Sequence, residues 1–403
     1  MRVDLADRGF VADPYPTLAD LRKAGPMLWH EPSDRWLATT HDAVSRVLRD
    51  RAFGRIWTDW EPVDEMAPFN ALHRHQMMEN EDHTHVRLRK LVSGAFGRGH
   101  VERMRARIDA LVTQMLDGLD STGPVDVLAQ FGEPLPVYVI ADLLGVPRAD
   151  HLQLRAWSQA IVHMYEQDVD QPTRNEAVAA ASAFAEYVRD LLAERRTSPG
   201  DDLVSDLLAE RVPRKREVPP GTERLSDDEL VASVVLLLNA GHEASVNVFG
   251  NGLHALLTHP DQMERITSGD VPMATALEEL IRYDAPLQLF ERTAKSDVEV
   301  LGVTVREGQK VACLMGSANR DELVFGSANE FGAAALDVGR DPNPHVGFGM
   351  GVHFCLGAPL ARLELEITFR RLLERSPHLE LAAPAPRRPT WVLRGFERIE
   401  VAL

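Results

Sequence analysis

Apolar positions recur with helical spacing over four long stretches of this chain. Residues 86–119 (VRLRKLV…MLDGLD) carry the first. The second covers roughly 150–195, where AVAAASAFAEYVRDLLAERR adds strong helix formers to the spacing. The longest candidate runs from Ser226 to His259. Ser226 and Glu229 form a capping box at its start, and Pro260 closes its far end. Some thirty residues at 1.5 Å each span about 45–50 Å, and VVLLL in the middle predicts burial on most sides. A fourth helix follows from Leu356 to Glu374, with Leu356, Leu360, Leu363 and Ile367 on one face. The first sixty residues instead mix short β-like runs with Pro and Gly, and residues 292–312 read as short strands around a Glu307-Gly308 turn. Between Thr197 and Glu223 a Pro-rich, charged stretch with the basic run Arg214-Lys215-Arg216 reads as a solvated loop around a short helix. The expectation is a mainly α protein with a minor β portion, in a single domain over residues 1–403.

Composition narrows the class. With 403 residues the chain can bury a large core and a cofactor with it. A formal net charge of −17 argues against a nucleic-acid binder, which needs a concentrated basic face. The only cysteines, Cys313 and Cys355, leave no disulfide framework. Cys313, in the apolar run KVACLM, reads as a small buried hydrophobe. The N-terminus MRVDLADRGFVADPYP lacks the apolar centre of a secretion signal, and no run approaches the ~18 apolar residues of a membrane span. A cytoplasmic, reducing location is expected, with no membrane partner.

Chemistry concentrates in His345–Leu360, HVGFGMGVHFCLGAPL. Gly347, Gly349 and Gly351 on alternate positions give a backbone able to turn tightly and to lie close to a flat ligand. Cys355 stands just before a helix, whose N-terminus favours the thiolate that binds iron. Backbone N–H groups near Gly357 are placed to hydrogen-bond the sulfur. A dinucleotide fingerprint fails, because Val352 occupies its sixth position. Spacing alone leaves a structural Gly-rich turn with an incidental cysteine as the alternative.

The stretch Phe348–Gly357, FGMGVHFCLG, resembles the haem-binding signature of the cytochrome P450 family at every defining position. The resemblance implies that Cys355 ligates the iron of haem b (iron protoporphyrin IX), that Phe348, Gly349 and Gly357 lie against it, and that His353 contacts a propionate. Glu279-Leu-Ile-Arg282 matches the family's buried structural Glu-x-x-Arg pair. The arginine that usually completes that pair is Glu330 here, within Ala328-Asn-Glu-Phe, and Arg340 is a possible substitute. Arg292 in Phe290-Glu-Arg-Thr matches a propionate partner, as do His85 and Arg89 of His85-Val-Arg-Leu-Arg89. The His73, His75, His83, His85 group is not read as a metal site, because His-x-His turns its two rings apart on either a strand or a helix.

On the longest helix, Leu238-Asn-Ala240-Gly241-His242-Glu243-Ala244-Ser245 corresponds to the family's dioxygen groove. The zinc-protease reading of His242-Glu243 fails, since Val246 stands where a second histidine is needed. By resemblance, Ala240 and Gly241 open the groove over the iron and Glu243 relays protons, a task suited to a carboxylate with access to water. Most members follow the acid with threonine; this chain has Ala244 and then Ser245, a change shared with a macrolide hydroxylase. Two readings stay open: a substrate hydroxyl assists proton delivery, or Ser245 relays.

The fold so implied places haem between the long distal helix and the proximal cysteine-loop helix. The activity implied is insertion of one oxygen atom from dioxygen into a lipophilic small molecule, such as a polyketide, another secondary metabolite or a terpenoid. Electrons are expected from a separate ferredoxin with its NAD(P)H-dependent reductase, because no reductase segment follows before Leu403. Arg89, Lys90 and Arg362 are candidate docking residues for it. Leu238, Leu287, Leu289 and Val392 are candidate pocket residues, with Ile56–Met78 and 160–178, including Met164 and Tyr165, as a lid. Other classes that the residues allow are a haem-binding sensor or carrier without turnover, and a peroxide-driven or isomerising haem-thiolate enzyme.

Overall fold

The Ser226–Glu229 box caps the longest helix reciprocally. Ser226 N–H donates to Glu229 Oε2 at 2.8 Å, and Glu229 N–H donates to Ser226 Oγ at 3.3 Å. The helix then runs Asp227–Thr258. The computed structural model describes residues 3–94, 98–120, 122–166, 169–211, 222–326 and 332–403. The basic run Arg214-Lys215-Arg216 and Glu330 therefore lie outside the described residues. The chain divides into two compact units, one of Met1–Gly54, Ile108–Glu133 and Ala244–Leu403, the other of Arg55–Arg107 and Pro134–Glu243.

In the first unit a five-stranded sheet has the order Met27–His30, Arg35–Ala38, Lys310–Leu314, Leu289–Ala294, Phe53–Gly54. Only the contact between Arg35–Ala38 and Lys310–Leu314 is parallel. The apolar run at Lys310–Leu314 is buried on both faces, as its lack of alternation predicts. Val311 and Cys313 enter one core cluster with Val44, Val47 and Phe53; Ala312 and Leu314 enter another with Leu18, Leu21 and Trp391. Burial pushes the Cys313 thiol up to about 12, so this cysteine is an inert core residue, as its apolar setting suggests. The expected turn is present with Gly308 at φ 82°, and Leu301-Gly302, both at positive φ, close a hairpin between Val298–Val300 and Val303–Val305.

The first sixty residues depart from the β-like reading, because helices Tyr15–Ala24 and His41–Arg49 lie among the strands. Thr40 caps the second by accepting from Ala43 N–H, and Ala43, Val44, Val47 and Leu48 fill its buried face. The fourth predicted helix is Ala358–Arg375.

The second unit is helical. Residues 86–119 form two helices, Asp82–Ser93 and Arg98–Asp117, the latter passing from this unit into the other. The stretch 150–195 likewise divides, into His151–Val162 and Gln171–Thr197. The Asp170 carboxylate accepts from Thr173 N–H at 2.9 Å and Pro172 sits in the first turn, a start signal that overrides the continuous helical spacing. A short helix, Leu203–Ala209, lies in the expected charged stretch. Asp227–Thr258 is long and apolar enough to cross a membrane, but 78% of its most apolar window is buried inside the protein.

Candidate functional site

Glu279 and Arg282 stand one turn apart on helix Met273–Tyr283, both at 0% exposure. Arg282 grips the Glu279 carboxylate with two parallel bonds of 2.7 Å. Its remaining donors reach the carbonyls of Asn319, Ala333 and Ala335 at 2.7, 2.9 and 3.0 Å. Glu279 also accepts from Asp337 N–H, Asn343 Nδ2 and Arg340 Nε at 2.9, 3.0 and 3.2 Å. Arg340, 4% exposed, thus provides the third charged partner that the sequence left undecided. A buried ion pair persists only when its remaining donors and acceptors are satisfied, and this one has them.

Beside it, Glu278 braces the cysteine loop. His345 Nε2, at the start of the loop, lies 2.9 Å from Glu278 Oε2, and Arg362, on the helix after the loop, pairs bidentately at 2.6 and 2.8 Å. Burial alone would raise the Glu278 carboxyl, but Arg362 and His345 hold it down at about 2. The Arg362 guanidinium also lies 4.4 Å from the centre of the Phe348 ring. Arg362 is therefore committed to the loop, whereas Lys90 is exposed and Arg89 half-buried.

Within the loop, Gly349 and Gly351 have φ of 69° and 71°. A Cβ on Gly351 would come 2.4 Å from Leu48 O, and one on Gly347 2.6 Å from Ile281 Cγ2, so these two serve close packing within the protein. One on Gly349 would meet nothing nearer than His353 O at 3.9 Å. Cys355 N–H donates to Phe348 O at 2.9 Å, which returns the cysteine to the base of the turn. Cys355 is half-buried, between exposed Phe354 and the Gly357 cap of helix Ala358–Arg375. The helix N-terminus favours its thiolate.

Between Leu230 and Leu253 the long helix breaks its burial at one place. Leu230–Leu238 are buried, as are Ser245–Gly250, yet Ala240 is exposed and Gly241, Glu243 and Ala244 are partly so. Positions 240, 243 and 244 share one face. Ser245, 6% exposed, and Leu238, 0% exposed, are turned into the core. The space above Gly241 is already used by packing, because a Cβ there would lie 3.2 Å from Ile140 Cγ1.

Arg292, 2% exposed, shares a strand face with Phe290 and lies 4.5 Å from its ring centre. His85, also 2% exposed, directs Nδ1 to Met77 O at 2.9 Å, and Arg89 follows one turn later. His73 is bonded instead to Phe69 O and Tyr165 Oη. Of the pocket candidates, Leu287 and Val392 are partly accessible, whereas Leu289 belongs to the Trp391 core cluster. Met164 is buried and Ile56 exposed. Sequence reasoning missed Asn343, which bonds across 64 positions, and Ser158, which lies 3.2 Å from His242. Neither stands in a local motif.

These residues fit the haem that the resemblance implies. A half-buried cysteine precedes a helix, an accessible face interrupts a buried helix, and an arginine and a histidine are buried at the positions matched to propionate partners.

The family model for cytochrome P450 matches residues 23–268 and 271–388. The chain is 36% identical to 6-deoxyerythronolide B hydroxylase of Saccharopolyspora erythraea over 418 residues, covering 99% of this chain and 98% of that protein. It is 34% identical to cytochrome P450 monooxygenase PikC of Streptomyces venezuelae over 402 residues, covering 97% and 91%. The solved structure of PksS, the cytochrome P450 of the Bacillus subtilis 168 bacillaene polyketide synthase, superposes with a TM-score of 0.88 at 33% identity, covering 100% and 99%.

Proposed function

We propose a substrate class and an electron route from one premise: this chain belongs to the cytochrome P450 family and is a haem-thiolate monooxygenase. It binds haem b, uses dioxygen and redox partners, and acts on a lipophilic molecule. When bound, haem supplies the activation of dioxygen and the insertion of one oxygen atom. As a single cytochrome P450 domain, the protein would hold the iron of bound haem through the Cys355 thiolate. By the resemblance, His353, Arg292, His85 and Arg89 would neutralise its propionates, and Phe348, Gly349, Gly357 and Ala240 would line it.

The substrate is a lipophilic secondary metabolite of polyketide type that carries a hydroxyl near the reacting carbon. One observation carries this reading: the accessible face of the long helix offers Glu243 and Ala244, while Ser245 is turned into the core. Glu243 holds the proton to be delivered, Ala244 leaves room where a side-chain hydroxyl is missing, and the substrate supplies that hydroxyl. The names of a 6-deoxyerythronolide B hydroxylase and of a polyketide synthase cytochrome among the relatives support the class. Leu287 and Val392 contribute apolar pocket surface. Electrons come from a ferredoxin and its NAD(P)H-dependent reductase, in the cytoplasm.

A spin-state titration of the ferric protein tests the proposal, after the thiolate signature is confirmed in the reduced carbon monoxide complex. Paired polyketide ligands with and without the hydroxyl are compared. The expected result is a low- to high-spin shift with the hydroxylated member only. Shifts with the non-hydroxylated members alone would overturn it and return the relay to Ser245.

A further inference from the structure

The acid on the long helix has a buried neighbour with a defined orientation. His242 is 1% exposed, and Ser158 Oγ, on helix His151–Val162 at 0% exposure, lies 3.2 Å from its Nδ1. On the other side of the ring, Nε2 lies 3.2 Å from Glu243 Oε1. That oxygen is near but off the N–H direction, and Nε2 reaches no well-aligned hydrogen-bond partner among the described residues. An anionic oxygen so close disfavours a lone pair on Nε2 and places the ring proton there. Nδ1 is then the acceptor of the Ser158 hydroxyl.

We propose that His242 is a positioning residue for Glu243: its Nε2–H, oriented by Ser158, is the resting berth of the carboxylate. From that berth, rotation carries the Glu243 carboxylate to the accessible face at Ala240 and Ala244, where it takes up a proton from water and becomes the acid that delivers it. The off-line geometry suits the role, since a well-aligned charge-assisted bond would hold the carboxylate in place, whereas this contact guides it and lets it leave. The inference rests on the reading of Glu243 as the proton-delivering acid, and it adds how that acid is aimed.

The haem-loaded protein provides two readouts apart from product formation. One is the C–O stretching band of the reduced carbon monoxide complex, which reports charge beside the bound gas. The other is the ratio in H2O and D2O of the decay rate after the reduced protein is mixed with dioxygen. Glu243→Gln is expected to move both. His242→Leu should broaden or split the carbon monoxide band and change the proton-dependent rate on the order of tenfold. His242→Gln, which keeps an N–H donor, should restore both, and Ser158→Ala should move them less, in the direction of the leucine variant. Adding His242→Leu to Glu243→Gln should change nothing further. Equal behaviour of His242→Leu and His242→Gln, or a silent His242→Leu beside a responsive Glu243→Gln, overturns the proposal. A silent Glu243→Gln instead removes the acid reading beneath it.

Discussion

Two buried glutamates on two packed helices show that burial alone does not reveal how a charge is managed. Glu279, on Met273–Tyr283, is 0% exposed; Glu364, on Ala358–Arg375, is 3% exposed. Glu279 has Arg282, Arg340, Asn343 and the Asp337 amide around its carboxylate. The Glu364 side chain has no such partner among the described residues, and burial by itself pushes its carboxyl up to about 8. The first carboxylate is neutralised by guanidinium groups; the second is neutralised at neutral pH by keeping its proton. Only the first builds long-range structure, since Arg340 and Asn343 draw the segment before the cysteine loop onto the helix.

The most severe test of the contrast is Glu279→Ala. It leaves Arg282 and Arg340 buried together without their carboxylate, and breaking a buried pair by removing one partner costs roughly 3–5 kcal/mol. Denaturant unfolding should record a loss of that size, together with loss of the carbon monoxide thiolate signature. A loss under about 1 kcal/mol would mean that the network is dispensable and that the two glutamates are alike.

Removing the carboxylate at the second site should act in the opposite direction. The Glu364 carboxyl is raised in the folded state, from 4.5 to about 8. Between those values the unfolded chain releases a proton that the folded chain keeps. The contribution of Glu364 to stability is therefore greatest below pH 4.5 and falls as pH rises through 8, with a loss on the order of 3 kcal/mol by neutral pH. Glu364→Gln removes the titration. Its unfolding free energy should fall less steeply than the parent's between pH 5 and pH 8, crossing above it toward neutral pH. Parallel curves would show that Glu364 has a hidden partner, and the contrast with Glu279 would dissolve.

Much of this was legible along the chain because its causes are local. The Ser226–Glu229 box, the uninterrupted apolar centre after it and the doubly buried strand Lys310–Leu314 each follow from neighbours a few positions apart. Helices Tyr15–Ala24 and His41–Arg49 were hidden by their shortness among strands, although Thr40 offers a cap. Asp170-Gln171-Pro172 was a visible start signal outweighed by helical spacing on either side. Cys355 stood out through a long motif, but Arg340 did not, because its partner lies 61 positions away and only the folded chain brings them together. Glu364 was half legible. It falls on the apolar stripe of Leu360, Leu363 and Ile367, a position where a carboxylate must be buried, yet nothing nearby tells whether a partner awaits it.

Glu278, adjacent to Glu279, offers the smallest and most discriminating test, because it links the buried network to the cysteine loop at a partly exposed position. Its carboxyl is depressed from 4.5 to about 2, so its contribution is present above pH 4.5 and is lost as pH falls toward 2. Arg362, its main partner, has a side chain 38% exposed, and solvent screening reduces such pairs to about 1 kcal/mol or less. Glu278→Gln should therefore shift unfolding at pH 7 by no more than about 1 kcal/mol. Its effect should fall on the loop instead: without the carboxylate, His345 loses its anchor and Arg362 is freer to leave the Phe348 ring. The carbon monoxide complex of the variant should lose its thiolate signature faster on mild warming than the parent, at nearly unchanged global stability. If both properties fall together, Glu278 belongs to the same folding lock as Glu279. If only the thiolate signature falls, the neighbouring carboxylates divide the work, one holding the fold and the other holding the cysteine.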